Sequence, residues 1–292
     1  MVISQILGGL GNQMFQYAAG RALSRSVEQP LLLDLRGFEG YALHQGFELG
    51  RIFATPMNAA SAGDVIKMLG WRAPDLVRKV LKRTQSSVLR GEHLAIEPHF
   101  KYWDGVRTGG APRYLMGYWQ SEMYFKDYAE TIRSDFRFRT PLDNTSCEIE
   151  KRILTTDAIS LHVRRGDYLT HAATAKILSA CSLDYYNAAM NYISERVRTP
   201  HFFVFSDDME WVKSNLSIPF NKTYVEHNQG AASYRDMQLM HKCRHHVIAN
   251  SSFSWWGAWL NPSPEKLVIA PKAWFCDGRD DTDLIPDGWV RL

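Results

Sequence analysis

Short, continuously apolar runs recur along the chain, and most are followed by a stretch with apolar residues at helical spacing. No other feature limits the fold so tightly. A strand apolar on both faces must be covered on both, and alternating strands with helices achieves this as a parallel sheet between helical layers. Val2–Leu7 and Pro30–Asp34 read as strands, with Met14, Phe15, Ala18 and Ala22 marking the helix between them. Residues 73–82 read as a basic amphipathic helix, and 113–119 as a strand feeding a helix over 121–136. Past the polar, proline-broken segment 137–146 the alternation resumes. Strands are predicted at 158–163, 201–206, 245–251 and 266–271, and helices at 183–197, 208–216, 232–243 and 253–260. The expected architecture is α/β, with two Rossmann-like domains, 1–145 and 146–292. A cleft between them and ligands at the carboxyl ends of the strands complete the expectation.

At 292 residues the chain is long enough for two cores. Its 34 Lys and Arg are interspersed with 31 acids, a net charge of +3, which excludes a dedicated nucleic-acid binder. Cys147, Cys181, Cys243 and Cys276 form no C-x-x-C pair, so neither a zinc knuckle nor a disulfide framework is expected. A reducing compartment follows. The N-terminus shows no leader pattern and no segment is apolar enough to span a bilayer, so a cytoplasmic protein is expected.

Four constellations carry chemistry. In "AISLHVRRGDYLT" a buried strand runs into Arg164, Arg165, Gly166, Asp167 and Tyr168. Two guanidiniums at a strand's carboxyl end make a phosphate clamp, since Arg binds phosphate oxygens bidentately and stays charged. Alternatively, one pairs with Asp167 and the other is solvated. In "NSSFSWWGAWL" a strand leads through Asn250 and Ser251 into a helix start at Ser252, Phe253 and Ser254. This is either a diphosphate site or a serine cap with Trp255, Trp256 and Trp259 as core.

"GGLGNQ" lacks the third glycine of G-x-G-x-x-G and the Lys-Ser/Thr of a P-loop, so neither a nicotinamide nor ATP is indicated. Gly9 and Gly11 let backbone approach a ligand and Asn12 offers it an amide, or the stretch is a structural turn. Asp207 and Asp208, again at a strand end, suit guanine N1–H and its amine, or cap the next helix. They, or Asp281 and Asp283, would be the acids of a metal motif; no metal is expected.

Five segments, "GGLGNQMFQYAAG", "GYWQSEMYF", "LHVRRGDY", "FSDD" and "IANSSFSWWGAWLN", occur in an order that resembles the bacterial α-1,2-fucosyltransferases of O-antigen and related glycan synthesis, glycosyltransferase family 11. The resemblance extends to the terminal "IPDGWVRL". It implies a GT-B fold and inverting, metal-independent transfer of L-fucose from GDP-β-L-fucose to the 2-hydroxyl of a terminal β-galactose, with no cofactor. The chain is more distantly similar to α-1,6- and protein O-fucosyltransferases. There the motif histidine and arginines bind GDP, which implies that role for His162, Arg164 and Arg165. The guanine-contacting acid falls on Asp207 or Asp208, and the phosphate loop on Ser252, Phe253, Ser254 and Trp255. The α-1,6 enzymes carry a glutamate beyond the arginine pair, where this chain reads "LTHAATA", so their acid–base assignment does not transfer.

Arg164 and Arg165 are expected to stabilise the GDP leaving group, with Asp167 and then His162 as candidate bases. Tyr118, Trp119 and Tyr168 are either acceptor platforms or core. Loop 170–182 closes over substrate or selects the acceptor. Two other readings stand beside this one: a fucosyltransferase of different linkage, acceptor or GDP-sugar, and a non-catalytic module that binds GDP or an anionic glycan. For a lipid-linked acceptor, Arg72, Arg78, Lys79, Lys82 and Arg83 would touch the cytoplasmic face of the inner membrane, a solvated helix face being the alternative.

Overall fold

A computed structural model describes residues 1–40, 45–84, 87–107, 112–166 and 177–292. Asp167, Tyr168 and loop residues 170–176 lie outside the described residues. The chain divides into two compact units, Met1–Arg139 with Thr282–Leu284, and Thr140–Asp281 with Ile285–Leu292.

Unit 1 opens as strand β1 (Val2–Gln5), helix α1 (Leu10–Ser26) and strand β2 (Leu31–Asp34). Helices α2 (Leu49–Ile52), α3 (Ala62–Leu69), α4 (Asp75–Arg83) and α5 (Ser87–Arg90) precede strands β3 (Leu94–Ile96) and β4 (Arg113–Met116) and helix α6 (Ala129–Asp135). Among the described residues the strands form one parallel sheet in the order β2-β1-β4-β3. β1, β3 and β4 are buried along their whole length, as strands of a parallel sheet covered on both faces are. On one face Val65, Met68, Leu69 and Leu81 of α3 and α4 pack on Ile3, Ile96 and Tyr114.

Unit 2 begins with α7 (Asn144–Leu154), whose cap Asp143 accepts the Ser146 N–H at 2.8 Å. Then come β5 (Asp157–Val163), α8 (Leu183–Ser194), β6 (Pro200–Ser206), α9 (Met209–Asn215) and β7 (Asn221–Val225). The chain closes with α10 (Tyr234–Met240), β8 (His245–Val247), α11 (Ser252–Trp259), β9 (Val268–Ala270) and β10 (Val290–Arg291). The sheet order is β10-β9-β8-β5-β6-β7, all parallel. Counting from β5, this is the 3-2-1-4-5-6 order of a dinucleotide-binding fold read from its other edge.

The parallel α/β expectation is met, with local departures. The predicted helix over 121–136 is α-helical only at Ala129–Asp135, after 3-10 turns at Glu122–Tyr124 and Lys126–Tyr128. Phe125, between those turns, is fully buried against Phe15, and that packing prevails over helix propensity. Strand β7 carries the exposed Asn221 and Lys222 at the sheet edge, and such an edge lacks the apolar run that marks a central strand.

Candidate functional site

In unit 2 successive strands leave β5 in opposite directions, β6 and β7 one way and β8, β9 and β10 the other. Order therefore reverses between β5 and β8, where loops diverge and open sheets bind their ligands. Arg164 and Arg165 emerge at that point. Arg164 Nε lies 3.2 Å from Asp207 Oδ2. Arg165 Nε donates to Asp208 Oδ2 at 3.4 Å, and its guanidinium lies over the Trp211 ring, 3.5 Å from the centroid. Both arginines are thus held by the loop after β6.

Asp207 does more than pair with Arg164. Its two oxygens accept the backbone N–H groups of Arg165 and Gly166, each at 2.9 Å. A Cβ at residue 166 would stand 2.7 Å from Asp207 Oδ2, so glycine is what lets the backbone come this close. Asp208 caps α9 by accepting the Trp211 N–H at 3.3 Å. In this state the aspartates organise the arginine turn, and the pairing found is with Asp207 and Asp208. The pairs are partly exposed, so each is weak and can yield to a more highly charged diphosphate.

The other side of the reversal is the loop from β8 into α11. Ser251 caps α11 through its extended backbone, with no side-chain bond to the helix. The N–H groups of Ser252, Phe253 and Ser254 are those an α-helix leaves without intrahelical partners, and together they suit an anion. Ser254 Oγ donates to the Ser251 carbonyl at 3.3 Å, so that hydroxyl serves the helix itself. Trp255 is fully buried, stacked with Trp259 at 6.1 Å, and its N–H donates to the Ser251 carbonyl at 3.0 Å. It supports the loop as core. Asn250 is also scaffold, donating to the carbonyls of Ser179 at 2.9 Å and Trp274 at 3.1 Å.

His162, two residues before Arg164, is buried beside Phe253. Burial, and then the Arg164 charge, push its pKa down to about 3. A neutral imidazole so weakly basic is a poor proton acceptor near pH 7 but a competent hydrogen-bond partner. Its Nδ1 is buried and has no hydrogen-bond partner among the described residues. Tyr186 holds this strand end by donating to the His162 carbonyl at 3.2 Å, and Tyr185 donates to the Ile248 carbonyl at 2.6 Å.

A chain of Ser160, His246 and Asn261 imitates a nucleophilic triad but is buried core. Asn261 donates to His246 Nε2 at 3.0 Å, which leaves the proton on Nδ1, directed at Ser160 Oγ 2.8 Å away. The imidazole then donates to the serine and cannot activate it.

Unit 1 reverses its strand order between β1 and β4. Gly9 caps α1, Gly11 is buried in the first turn, and Asn12 Oδ1 accepts from Gln120 Nε2 at 2.7 Å. The amides past both strands are thereby joined. Gln13 ties the turn to the next loop, donating to the carbonyls of Gly8 at 2.9 Å and Gly46 at 2.8 Å. Tyr118 is partly exposed and stacks on Phe100, whereas Trp119 is fully buried with φ +57°, a left-handed backbone rare for a bulky residue.

That turn is held by Glu97, which the sequence reading missed. Its carboxylate accepts the N–H groups of Tyr118 at 2.7 Å and Trp119 at 2.8 Å. Burial raises its pKa to about 7 against the opposing pull of those two bonds. Of the described carboxylates at this sheet edge, it has the basicity that general-base chemistry wants near neutrality. The available signal was a lone acid directly after an apolar triplet, too short to register as a strand.

Among the described residues no three His, Cys, Asp or Glu side chains converge as metal ligands. Asp281 accepts the Trp274 N–H at 2.6 Å and pairs with Arg291 at 2.8 Å, while Asp283 accepts the Tyr102 N–H at 2.9 Å.

Two parallel-sheet units, each with a strand-order reversal and one with an arginine pair and a helix N-terminus following the strands at that reversal, give an α/β protein of the GT-B fold class. Its fold is shared with the α-1,6-fucosyltransferase NodZ from Bradyrhizobium, soaked with GDP-fucose in one crystal structure. The TM-score is 0.54 at 15% identity, covering 89% of this chain and 92% of that one. The profile of glycosyl transferase family 11 matches residues 101–292. An α-1,2-colitosyltransferase of Escherichia coli is 35% identical over 100% of this chain and 99% of its own. The O-antigen biosynthesis glycosyltransferase WbnK of E. coli is 31% identical over 99% of each. A galactoside α-(1,2)-fucosyltransferase 1 from Saimiri boliviensis boliviensis is 26% identical over 87% of this chain and 63% of its own. The chain belongs to glycosyl transferase family 11.

Proposed function

We propose that this glycosyltransferase moves L-fucose from GDP-β-L-fucose to the 2-hydroxyl of a terminal β-galactose, with inversion and without a metal. The observation that carries the reading is that β5, which runs into Arg164 and Arg165, and β8, which leads into the N-terminus of α11, are neighbouring parallel strands at the order reversal, so both segments leave the sheet at the edge where a nucleotide diphosphate would lie. Fucosyl transfer passes through an oxocarbenium-like sugar while charge grows on departing GDP. Arg164, Arg165 and the N–H groups of Ser252, Phe253 and Ser254 would stabilise that charge, and neutral His162 would complete the contacts. The names of the relatives support the 1,2 linkage and a galactoside acceptor. The O-antigen role named for WbnK supports a bacterial surface glycan.

A second donor has a specific observation behind it, the 35% identity to a colitosyltransferase. Colitose is L-fucose without its 3-hydroxyl, so the two GDP-sugars would use the same diphosphate cradle. The test is transfer from GDP-fucose and GDP-colitose, separately, to a panel of β-galactosides in EDTA, with linkage read by NMR. A fucosyl α-1,2 product in EDTA is expected. Transfer from GDP-colitose alone would reassign the donor. Recovery only with Mn²⁺ would restore a metal. Silence with both donors despite GDP binding would favour a non-catalytic module.

A further inference from the structure

Eight large apolar side chains are exposed among the described residues, and six lie in one segment of unit 1: Ile66, Trp71, Leu76, Val80, Val88 and Leu89. Leu76 is 74% and Val88 83% exposed, values that folding alone does not explain. In α4 the inward face is Val77, Arg78 and Leu81, with Leu81 packed in the core. Leu76 and Val80 are one turn apart on the opposite, outward face, and Lys79 and Arg83 flank them at helical spacing. Lys67, Lys79, Lys82 and Arg83 are all exposed, whereas Asp64 is engaged in the Ser61 capping box and Asp75 pairs with Lys79 at 2.7 Å.

The surface is built rather than frayed. Arg72 donates to the Leu89 carbonyl at 2.6 Å, and Arg90 to the Leu81 carbonyl at 3.3 Å, fastening α5 to the 3-10 turn at Gly70–Arg72 and to the end of α4. Arg78, counted from the sequence among the surface cations, is instead buried, with its guanidinium 5.0 Å from the Tyr114 ring and 3.7 Å from Asp34. It anchors α4 and is not available to a partner.

We infer that this face docks on an anionic lipid bilayer, with Trp71, Leu76, Val80 and Val88 entering the interface and Lys67, Lys79, Lys82 and Arg83 meeting headgroup phosphates. Outward apolar residues flanked by lysine and arginine are what an interfacial helix presents. A second copy of the chain fits worse, because a symmetric contact would set like-charged faces together. No described helix is long and apolar enough to cross a membrane, so the attachment is peripheral at this surface. Lys82 is also close enough for its charge to act on Glu97, so this face borders the strand edge that holds Tyr118 and Trp119.

The test is co-sedimentation of the full chain with phosphatidylglycerol–phosphatidylcholine vesicles and with phosphatidylcholine vesicles, with oligomeric state read by light scattering. The variants are K67Q/K79Q/R83Q and W71S/L76S/V80S, with Lys82 left in place because of Glu97. The chain is expected to bind the anionic vesicles as a monomer, and each triple variant to bind them about tenfold or more weakly, with melting temperature and nucleotide binding unchanged. No binding to anionic vesicles, equal binding to neutral ones, or variants that bind like the parent would overturn the inference. So would a dimer that the apolar variant dissociates.

Discussion

Asp207→Asn separates two roles for one carboxylate, clamping the arginine turn or reading guanine. Asp207 accepts N–H groups from Arg165 and Gly166 at 2.9 Å each and faces Arg164 Nε at 3.2 Å. The asparagine keeps one acceptor oxygen and turns an NH₂ toward the other backbone N–H. One charge-assisted bond is lost, about 1.5–3 kcal/mol, and a donor is left facing a donor. The ion pair adds no more than about 1 kcal/mol, because its side chains are 27% and 23% exposed. A loss of 2 kcal/mol in turn order, recovered only when ligand binds, corresponds to about 30-fold in affinity.

Isothermal titration with GDP and with inosine diphosphate, which lacks the exocyclic amine, is the assay. If Asp207 is a clamp, both nucleotides weaken by the same factor in D207N and their ratio stays at the parent value. If the GDP preference of the parent over inosine diphosphate disappears in D207N, the carboxylate reads guanine and the clamp argument is wrong.

Arg164→Ala should lower kcat/KM by two to three orders of magnitude, about 2–4 kcal/mol of transition-state stabilisation, with the circular dichroism melt little changed; steady-state kinetics decide it. Gly166→Ala forces a Cβ to within 2.7 Å of Asp207 Oδ2, so GDP affinity should fall together with the D207N value, and full GDP affinity would contradict the packing argument. Glu97→Gln tests the raised carboxyl. The folded chain keeps its proton from the ordinary 4.5 up to about 7, so the stability Glu97 contributes is complete below 4.5 and is lost as pH rises through 7. That loss is on the order of 3 kcal/mol, so urea melts at pH 5 and pH 8 should differ more for the parent than for E97Q. Equal differences would remove Glu97 as a titrating group, and an unchanged pH–rate profile in E97Q would remove it as a base.

The arginine pair, the serine-led helix start and the glycine turn were legible because each follows an apolar run, and the carboxyl end of a parallel strand is where α/β sheets hold ligands. Partners were not legible. Asp207 and Asp208 are about forty residues from the arginines they hold, and Trp211 meets Arg165 only because β6 lies beside β5. Asn250 and Trp255 looked like loop ligands from their neighbours in sequence. Contacts with Ser179, Trp274 and Trp259 make the first a scaffold and the second core.

What the sequence determined by itself is periodicity and local chemistry. Apolar strands alternating with helices require parallel sheets, and five ordered motifs place the chain in its family, because both signals are written in adjacent residues. Tertiary structure alone decided which charges meet, that Arg78 turns inward while Leu76 and Val80 turn outward, and that Glu97 sits where burial raises its pKa to about 7. Those outcomes depend on desolvation and on neighbours remote in the chain, and local spacing carries neither.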